Sequence, residues 1–210
     1  MLVTAASFLY PFLEPESADN TGVLLGDLAR SARAKWTDSV GLAAKSIAAN
    51  GLRLSTVTDL IRGAPQVLLA GNGGSSCDAD RMTRLLRAAL TPRADGTTVR
   101  VRSLVADPAT LTALANDLGV EQMFARQVEA YGRAADVLVV FSTSGASANL
   151  LAACDTARRL GLRTIAVAGY SGGSMATHPS IESCVSIVSE SVHRIQEAQA
   201  EVIDAIVAAI

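Results

Sequence analysis

Apolar residues fall along this chain in two patterns, short continuous runs and sets spaced at helical intervals. The runs Gln66–Ala70, Asp136–Phe141 and Arg163–Ala168 are mainly apolar, which is typical of strands buried on both faces. The stretches Val99–Val105 and Cys184–Val188 have the composition of two further strands. Because helical patterns lie between the runs, the alternation predicts right-handed crossovers and a mostly parallel sheet.

The spacing of the remaining apolar residues predicts the helices. The first predicted helix covers Asp19–Ala49, in one piece or broken near Gly41, and the second follows Ser76. Two short helices are predicted around Asn116-Asp117 within Ala109–Tyr131. The last two cover Ala148–Leu160 and His193–Ile210. The chain is therefore predicted to be an α/β protein. An ordinary doubly wound domain whose glycine loops only turn corners fits the same pattern, so the fold class alone does not indicate a function.

The composition agrees with one folded domain. Of 210 residues, 50% are hydrophobic and 18% are charged, which is enough apolar material for one core. The 18 basic and 20 acidic side chains leave a formal net charge of −2, so no global charge favours nucleic acid or an anionic membrane. No apolar run approaches the ~20 residues that span a bilayer, and three scattered cysteines fit reduced thiols. We expect a cytoplasmic protein that binds neither nucleic acid directly nor a membrane.

The first residues differ in character from the rest. The stretch from Met1 to Glu16 is apolar, but it lacks a basic leader and contains Pro11 and Pro15, so it matches a signal peptide poorly. We predict that residues 1–18 form an arm that packs on a neighbour, and that residues 19–210 form the single domain.

The loop after the predicted strand Asp136–Phe141 is the strongest chemical signal. Its sequence, Ser142-Thr143-Ser144-Gly145-Ala146-Ser147, offers four hydroxyls and several backbone N–H groups in front of a helix. Such a loop, which we call the hydroxyl loop, can surround a phosphate without a cationic side chain. A serine-rich helix cap is the alternative, although one cap needs only one hydroxyl.

A second loop, Gly71-Asn72-Gly73-Gly74-Ser75, follows the strand Gln66–Ala70, and we call it the glycine loop. Glycines let the backbone approach a ligand closely, and Asn72 and Ser75 could bond sugar hydroxyls or phosphate. The spacing matches neither the Walker motif nor the dinucleotide fingerprint, so nucleotide hydrolysis and hydride transfer are not favoured.

Five blocks of residues occur in a recognisable order. They are Ala70–Ala79 with the glycine loop, Asn116-Asp117, Asp136–Asn149 with the hydroxyl loop, Gly169–Met175 with Gly172-Gly173, and Arg194–Glu197. Together they resemble the phosphoheptose isomerase branch of the SIS (sugar isomerase) superfamily, from about Trp36 to the C-terminus. The resemblance implies a flavodoxin-like three-layer α/β sandwich with a five-stranded parallel sheet flanked by helices, to which the sequence pattern adds an N-terminal helical arm. It also implies a homotetramer with sites at subunit interfaces, and sedoheptulose 7-phosphate as the family's substrate.

The resemblance also carries ligand roles to individual positions of this chain. It places the phosphate at Ser142, Thr143, Ser144 and Ser147, lines the sugar with Asn72, Gly73, Gly74 and Ser75, and completes the site with Asn116, Asp117 and Gln196.

Three of the four positions that the resemblance assigns to metal and acid–base chemistry have changed, and only Gln196 is retained. Family isomerases carry a His and a Glu four residues apart after the glycine loop, where this chain has Arg81 and Leu85. Near the C-terminus the family has a Gln followed eight residues later by a His, whereas here Gln196 is followed by Asp204. We therefore expect no zinc and no other cofactor. Isomerisation needs a base together with an acid or a metal, so any activity would depend on substitutes such as Asp204, Asp80 or His193, acting with the retained Gln196.

Several alternatives stay open at this point. His193 also fits a capping or interface residue, and Arg81 and Arg84 could reach the site or lie on an exposed helix face. The protein could bind a phosphorylated sugar with its isomerase activity lost or run by other residues. It could instead be a non-catalytic SIS adaptor for a protein partner, as in the adaptor that associates with the bacterial replication initiator, or a silent subunit of an active isomerase. The intact hydroxyl loop favours sugar-phosphate binding.

Overall fold

The computed structural model describes residues 21–92 and 94–210, with side chains from residue 24. The chain divides into two compact units, Met1–Asp38 and Ser39–Ile210. In the first unit the described residues are helical, and their large apolar side chains, including Leu28 and Trp36, are exposed. The predicted arm of residues 1–18 lies outside the described residues, and the assignment of residues 19–210 to one domain stays a prediction.

Five parallel strands form one sheet, as the sequence and the resemblance predict. The strands are β1 Gln66–Gly71, β2 Arg100–Ser103, β3 Val137–Ser142, β4 Arg163–Ala168 and β5 Ser183–Ser186. Their order is β2-β1-β3-β4-β5, the flavodoxin-like arrangement. The predicted strands at the two edges, β2 and β5, are shorter than their apolar stretches, because only the paired residues take part in the ladder.

The helices also follow the prediction, with one addition. They are α1 Thr21–Ala49, α2 Gly51–Gly63, α3 Gly74–Ala89, α4 Pro108–Leu118, α5 Met123–Tyr131, α6 Ala148–Leu160 and α7 Val192–Ala208. Short 3-10 segments lie at Val120–Gln122 and Tyr170–Thr177. Of the two possibilities for the first helix, the continuous one is confirmed, since α1 runs through Gly41. No helix is predicted from the sequence for the residues of α2.

Local signals set the helix ends. Asp107 caps α4 by accepting a bond from the Ala109 N–H, and Pro108 occupies the first helical turn, where its missing N–H costs nothing. Gly161 ends α6 in the left-handed conformation with a φ of 81°, which glycine adopts without strain.

Side chains alternate between the two faces of the sheet and build one core on each. From β1, Val67 and Leu69 pack with α2, α3 and α7, whereas Leu68 and Ala70 pack with α5 and α6. Burying a side chain of this kind is worth about 1.5–3 kcal/mol. Helices therefore cover both faces, and the predicted three-layer sandwich is confirmed.

The register of the strands positions the loops that the sequence singles out. Gly71 at the end of β1 lies opposite Phe141 of β3, and Ser142 at the end of β3 lies opposite Ala168 of β4. The loops after β1, β3 and β4 therefore leave the same edge of the sheet side by side. In the part of the chain that the structure describes, none of the helices has the length and apolar character needed to cross a membrane.

Candidate functional site

The hydroxyl loop is folded around its own side chains. Ser142, the last residue of β3, is buried, and its Oγ accepts a bond of 3.1 Å from the Gly145 N–H and lies 3.1 Å from the Ser147 Oγ. The Ser144 Oγ accepts from the Ala146 N–H at 3.2 Å. Thr143 is half-buried and Ser144 is exposed. Ser142 therefore holds the loop together, while Thr143 and Ser144 can face a ligand.

A neighbouring segment, residues 169–177, clamps this loop from the side of β4. The Met175 N–H donates to the Gly145 carbonyl oxygen at 2.9 Å. Gly145 has a φ of 63°, and a Cβ added to it would come within 3.0 Å of the Gly172 carbonyl group. A Cβ on Gly173 would likewise come within 3.0 Å of the Ser144 carbonyl oxygen. The two backbones touch directly, and only glycine leaves room for that contact.

The glycine loop meets the hydroxyl loop through a pair of amides. Asn72 and Asn149 exchange two hydrogen bonds of 2.9 Å, each side chain donating one and accepting one. Asn72 belongs to the glycine loop and Asn149 to the first turn of α6. Strands β1 and β3, which precede these loops, are the neighbours at which the strand order reverses. Ligands of open α/β sheets bind at this kind of crevice.

The start of α3 continues the same surface. Gly73 precedes the helix with a φ of 54° and a ψ of −124°, and Ser75 is buried beneath it. A Cβ added to Gly74 would overlap the amide of Gln196, so the Gln196 side chain of α7 lies directly against the glycine loop. The structure thus brings Asn72, Gly73, Gly74 and Gln196 together, as the resemblance implies.

Arg81 and Asp204 form an ion pair farther along α3 and α7. The Arg81 Nη2 atom lies 2.6 Å from both carboxylate oxygens of Asp204. The two side chains are 41% and 45% exposed, so water partly screens the pair. These residues stand at two of the positions where the resemblance implies metal ligands, and the third, Leu85, packs against the core.

Asp78 adds a buried carboxyl next to this pair. It is 8% exposed, and within the described residues its Oδ2 atom has no hydrogen-bond partner. Burial raises the pKa of Asp78 from 3.8 to about 6, although the positive charge of Arg81 acts in the opposite direction. The Nε atom of Arg81 is also buried and lacks a partner among the described residues.

The residues at this place do not fit the zinc ion of the resembled family. A guanidinium group cannot act as a metal ligand at neutral pH, and Arg81 occupies both oxygens of the carboxylate that could. Across residues 21–92 and 94–210, no cluster of three or more His, Cys, Asp or Glu side chains is arranged to hold a metal. The expectation that the protein uses no zinc stays a prediction.

The remaining predicted residues lie apart from this cluster. His193 is exposed in the first turn of α7, and it precedes Asp204 by eleven residues, or about 16 Å of helix. His193 and Asp204 therefore cannot act on the same bond from one subunit. Asn116 and Asp117 lie exposed near the end of α4, where the Asn116 amide donates to Asp117 at 2.8 Å. Arg84 is exposed and pairs with Asp80 at 3.4 Å.

The arrangement at the loops is suited to an anion. The first N–H groups of α6 have no partner inside the helix, and the helix dipole places partial positive charge there. Thr143, Ser144 and Ser147 add hydroxyl donors at the same point. Sequence reasoning did not assign Asn149 a role in the site, because its pairing with Asn72 joins residues 77 positions apart in the sequence.

Comparison with known proteins agrees with this geometry. A family model described as "SIS domain" matches residues 32–169. The chain is 41% identical over 125 residues to a phosphoheptose isomerase of Chlorobaculum parvum, and the match spans 60% of this chain and 60% of the length of that relative. It is 36% identical over 140 residues to a phosphoheptose isomerase of Akkermansia muciniphila, spanning 67% of this chain and 72% of that relative.

A solved structure extends the similarity to the whole fold. The phosphoheptose isomerase of Neisseria gonorrhoeae superposes with a TM-score of 0.77 and 28% sequence identity, over 87% of this chain and 97% of that one. The family model, the relatives and the strand order all point in one direction, and the chain therefore belongs to the phosphoheptose isomerase-like branch of the SIS domain family.

Proposed function

We propose that this protein binds a phosphorylated sugar of the sedoheptulose 7-phosphate type at the junction of the hydroxyl and glycine loops. The observation that carries the proposal is the position of Thr143, Ser144 and Ser147 in front of α6, at the switch point of the sheet. The phosphate would accept bonds from these hydroxyls and from the first N–H groups of the helix. The relatives named phosphoheptose isomerase support a sugar phosphate as the ligand class.

The sugar would extend from the phosphate toward the glycine loop. Asn72 is held there by its bonds to Asn149, and Gln196 lies against Gly74, so two amides face the space beyond the phosphate. Amides both donate and accept, which suits the hydroxyls of a sugar. The same rigid placement favours binding of one orientation over another.

We propose further that the protein does not isomerise the sugar by a zinc-dependent route. Moving a proton between two carbons requires a free base near the reacting atoms. Asp204 stands at one of the altered positions, but both of its oxygens accept hydrogen bonds from Arg81. Leu85 supplies no acid or base, since its side chain packs on the core. Binding and turnover are therefore separate questions for this chain.

Thermal unfolding with and without sedoheptulose 7-phosphate tests the binding proposal. A ligand at a hundred times its Kd stabilises the folded state by about 2.7 kcal/mol, which gives a measurable rise in Tm. Unphosphorylated sedoheptulose should give no rise at the same concentration, because it lacks the anion. No shift at millimolar sugar phosphate would contradict the proposal.

Variants of the hydroxyl loop test whether the rise in Tm comes from binding at that loop. Thr143→Ala combined with Ser144→Ala removes two donors and should weaken binding about a hundredfold or more, since bonds to charged groups are worth about 1.5–3 kcal/mol each. Thr112→Ala, on the exposed face of α4, removes a hydroxyl elsewhere and serves as the control. Chelation with EDTA should leave both folding and binding unchanged. An isomerase activity that depends on added zinc would contradict the second proposal.

A further inference from the structure

A second cavity lies at the free edge of the sheet, away from the loops just described. It is a groove of about 650 Å³ along β2, with α3 on one side and α5 on the other. We call it the edge groove. Its size lies within the range of sites for small ligands, ~300–1,000 Å³. The residues of the hydroxyl loop and Gly71–Ser75 are not part of its lining.

Positive charge dominates the lining of the edge groove. Four arginines contribute to it, Arg84 and Arg87 from α3 and Arg100 and Arg102 from β2. The chain as a whole carries a formal charge of −2, so this concentration is local. Two carboxylates, Asp80 and Asp107, also belong to the lining, so four arginines against two acids leave it with a net positive charge. A cleft of net positive charge raises the local concentration of anionic ligands.

The two carboxylates of the groove already have partners. Asp80 pairs with Arg84 at 3.4 Å, and Asp107 accepts bonds from the Ala109 N–H and the Thr110 hydroxyl as the cap of α4. Within residues 21–92 and 94–210, Arg100 makes no ion pair. Its charge is therefore available to a ligand.

The open edge of β2 is not suited to adding a peptide strand. In a parallel pair, every second residue of an edge strand points its backbone groups outward. The backbone N–H groups of Arg100 and Leu104 donate hydrogen bonds toward β1. Because backbone groups alternate in direction along a strand, the carbonyl group of Val101 points to the open edge. Arg87 donates to that carbonyl oxygen through Nε at 3.0 Å and Nη2 at 2.8 Å. The Val101 carbonyl oxygen is therefore not free to pair with an added strand, and the edges of natural sheets are often protected in such ways.

Tyr131 gives the groove an ordered wall on the α5 side. The Arg102 guanidinium lies 4.1 Å from the centroid of the Tyr131 ring, a cation–π contact that fixes its plane. An arginine held by its face still presents its N–H edge to an anion. Arg87 and Arg102 are thus oriented by contacts within the chain, while Arg84 and Arg100 complete the positive rim.

We propose that the edge groove binds a small metabolite with two or more phosphoryl groups, independently of the sugar-phosphate site. The guanidinium groups would bind the phosphoryl oxygens in the bidentate manner that arginine favours. The ligand is small because the groove is as short as the four-residue strand β2, which spans ~13 Å.

Inorganic pyrophosphate is the probe for this site, and isothermal titration of the full chain is the measurement. The wild type should show saturable binding at or below millimolar concentration. Arg84→Gln combined with Arg100→Gln should weaken it about tenfold for each arginine lost. Among the described residues, neither arginine side chain bonds a backbone group, so the fold should survive, and circular dichroism with thermal unfolding checks this.

Two control variants distinguish binding in the edge groove from unspecific attraction and from binding at the hydroxyl loop. Arg126→Gln combined with Arg163→Gln removes the same charge from exposed ion pairs outside the groove and should leave pyrophosphate binding unchanged. Thr143→Ala combined with Ser144→Ala should leave unchanged the binding step that is weakened in the Arg84 and Arg100 double variant, even where the hydroxyl loop itself binds a phosphoryl group. Equal losses in the first control would mean unspecific attraction, and a loss of that same step in the second would place it at the hydroxyl loop. Either result, or no saturable binding by the wild type, would overturn the proposal. The arginines would then serve only to protect the open edge of β2 from pairing with another strand.

Discussion

The contact between the hydroxyl loop and the segment after β4 can be tested by one added methyl group. Gly145→Ala places a Cβ within 3.0 Å of Gly172 O, Gly172 C and Gly173 N, all of them backbone atoms. Backbone atoms cannot rotate away as the end of a flexible side chain can. The variant must therefore move one of the two segments.

The loss of free energy of unfolding expected for Gly145→Ala has two parts, and a matched variant separates them. Gly145 has a φ of 63°, and an L-residue in the left-handed region costs about 1–2 kcal/mol. Forcing extra atoms into packed surroundings costs about 1–3 kcal/mol more. Gly96 has a φ of 79°, but a Cβ there would have no atom of the described residues within 4 Å, so Gly96→Ala should cost the first part alone. We expect losses of about 2–5 kcal/mol for Gly145→Ala and about 1–2 kcal/mol for Gly96→Ala.

Urea unfolding, followed by circular dichroism, measures both losses, and the titration with sedoheptulose 7-phosphate gives a second readout. Gly145→Ala should lose most of its ligand affinity, because the displaced loop carries Thr143 and Ser144. Gly96→Ala should bind as the wild type does. If the two variants lose the same free energy of unfolding, the close backbone contact does not exist, and the account of the clamped loop is wrong.

Two further predictions concern the ionisable groups of α3 and α7. Because the pKa of Asp78 is raised from 3.8 to about 6 in the folded state, the folded protein binds more protons in that window, and stability should fall by about 2–3 kcal/mol as pH rises through it. Asp78→Asn should reduce this fall, which urea unfolding at pH 4 and pH 7 measures. If the wild type and the variant show the same change in free energy of unfolding between the two pH values, burial does not raise the pKa of Asp78. For Arg81 and Asp204, a double-mutant cycle to alanine should give a coupling of about 0.5–1 kcal/mol that decreases in 1 M salt, since both side chains are over a third exposed. A coupling of zero at low salt would contradict the ion pair.

The strands could be predicted because their signal is local. Gln66–Gly71 and Val137–Ser142 are buried on both faces, so they appear in the sequence as continuous apolar runs. The same holds for β4. Once three buried strands alternate with helices, the right-handed crossover rule leaves few topologies, and the loops at the carboxyl edge follow from it.

The helix α2 has a local signal in the sequence, although it is absent from the predicted helices. Its buried residues Leu54, Val57, Thr58 and Ile61 stand at i, i+3, i+4 and i+7, which is a helical face. Asn50 separates it from α1, and its side chain bonds the Ser186 carbonyl of β5 at 2.9 Å. A contact across 136 residues has no counterpart in local sequence, so the bend between the two helices could not be derived from the pattern.

Pairings between distant side chains were the least predictable part of the site. The sequence names Asn72 as a ligand residue, but its bonds to Asn149 depend on the neighbouring positions of β1 and β3. The pair formed by Arg81 and Asp204 was easier to predict from the sequence. Two positions that the resemblance places around one metal must lie close together, and here they carry opposite charges.

That pair explains how a change of a few residues can separate binding from chemistry on this fold. The proposed phosphate donors are backbone N–H groups and hydroxyls at a βα junction, so they persist wherever the sheet and the glycines persist. Proton transfer depends instead on which side chains α3 and α7 present to each other. At two of the positions where the resemblance implies metal ligands, Arg81 and Asp204 form a partly screened ion pair between α3 and α7, and neither residue belongs to the hydroxyl loop. Under the proposed function, a chain altered in this way keeps its affinity for the phosphorylated sugar and lacks the zinc-dependent route for moving its proton.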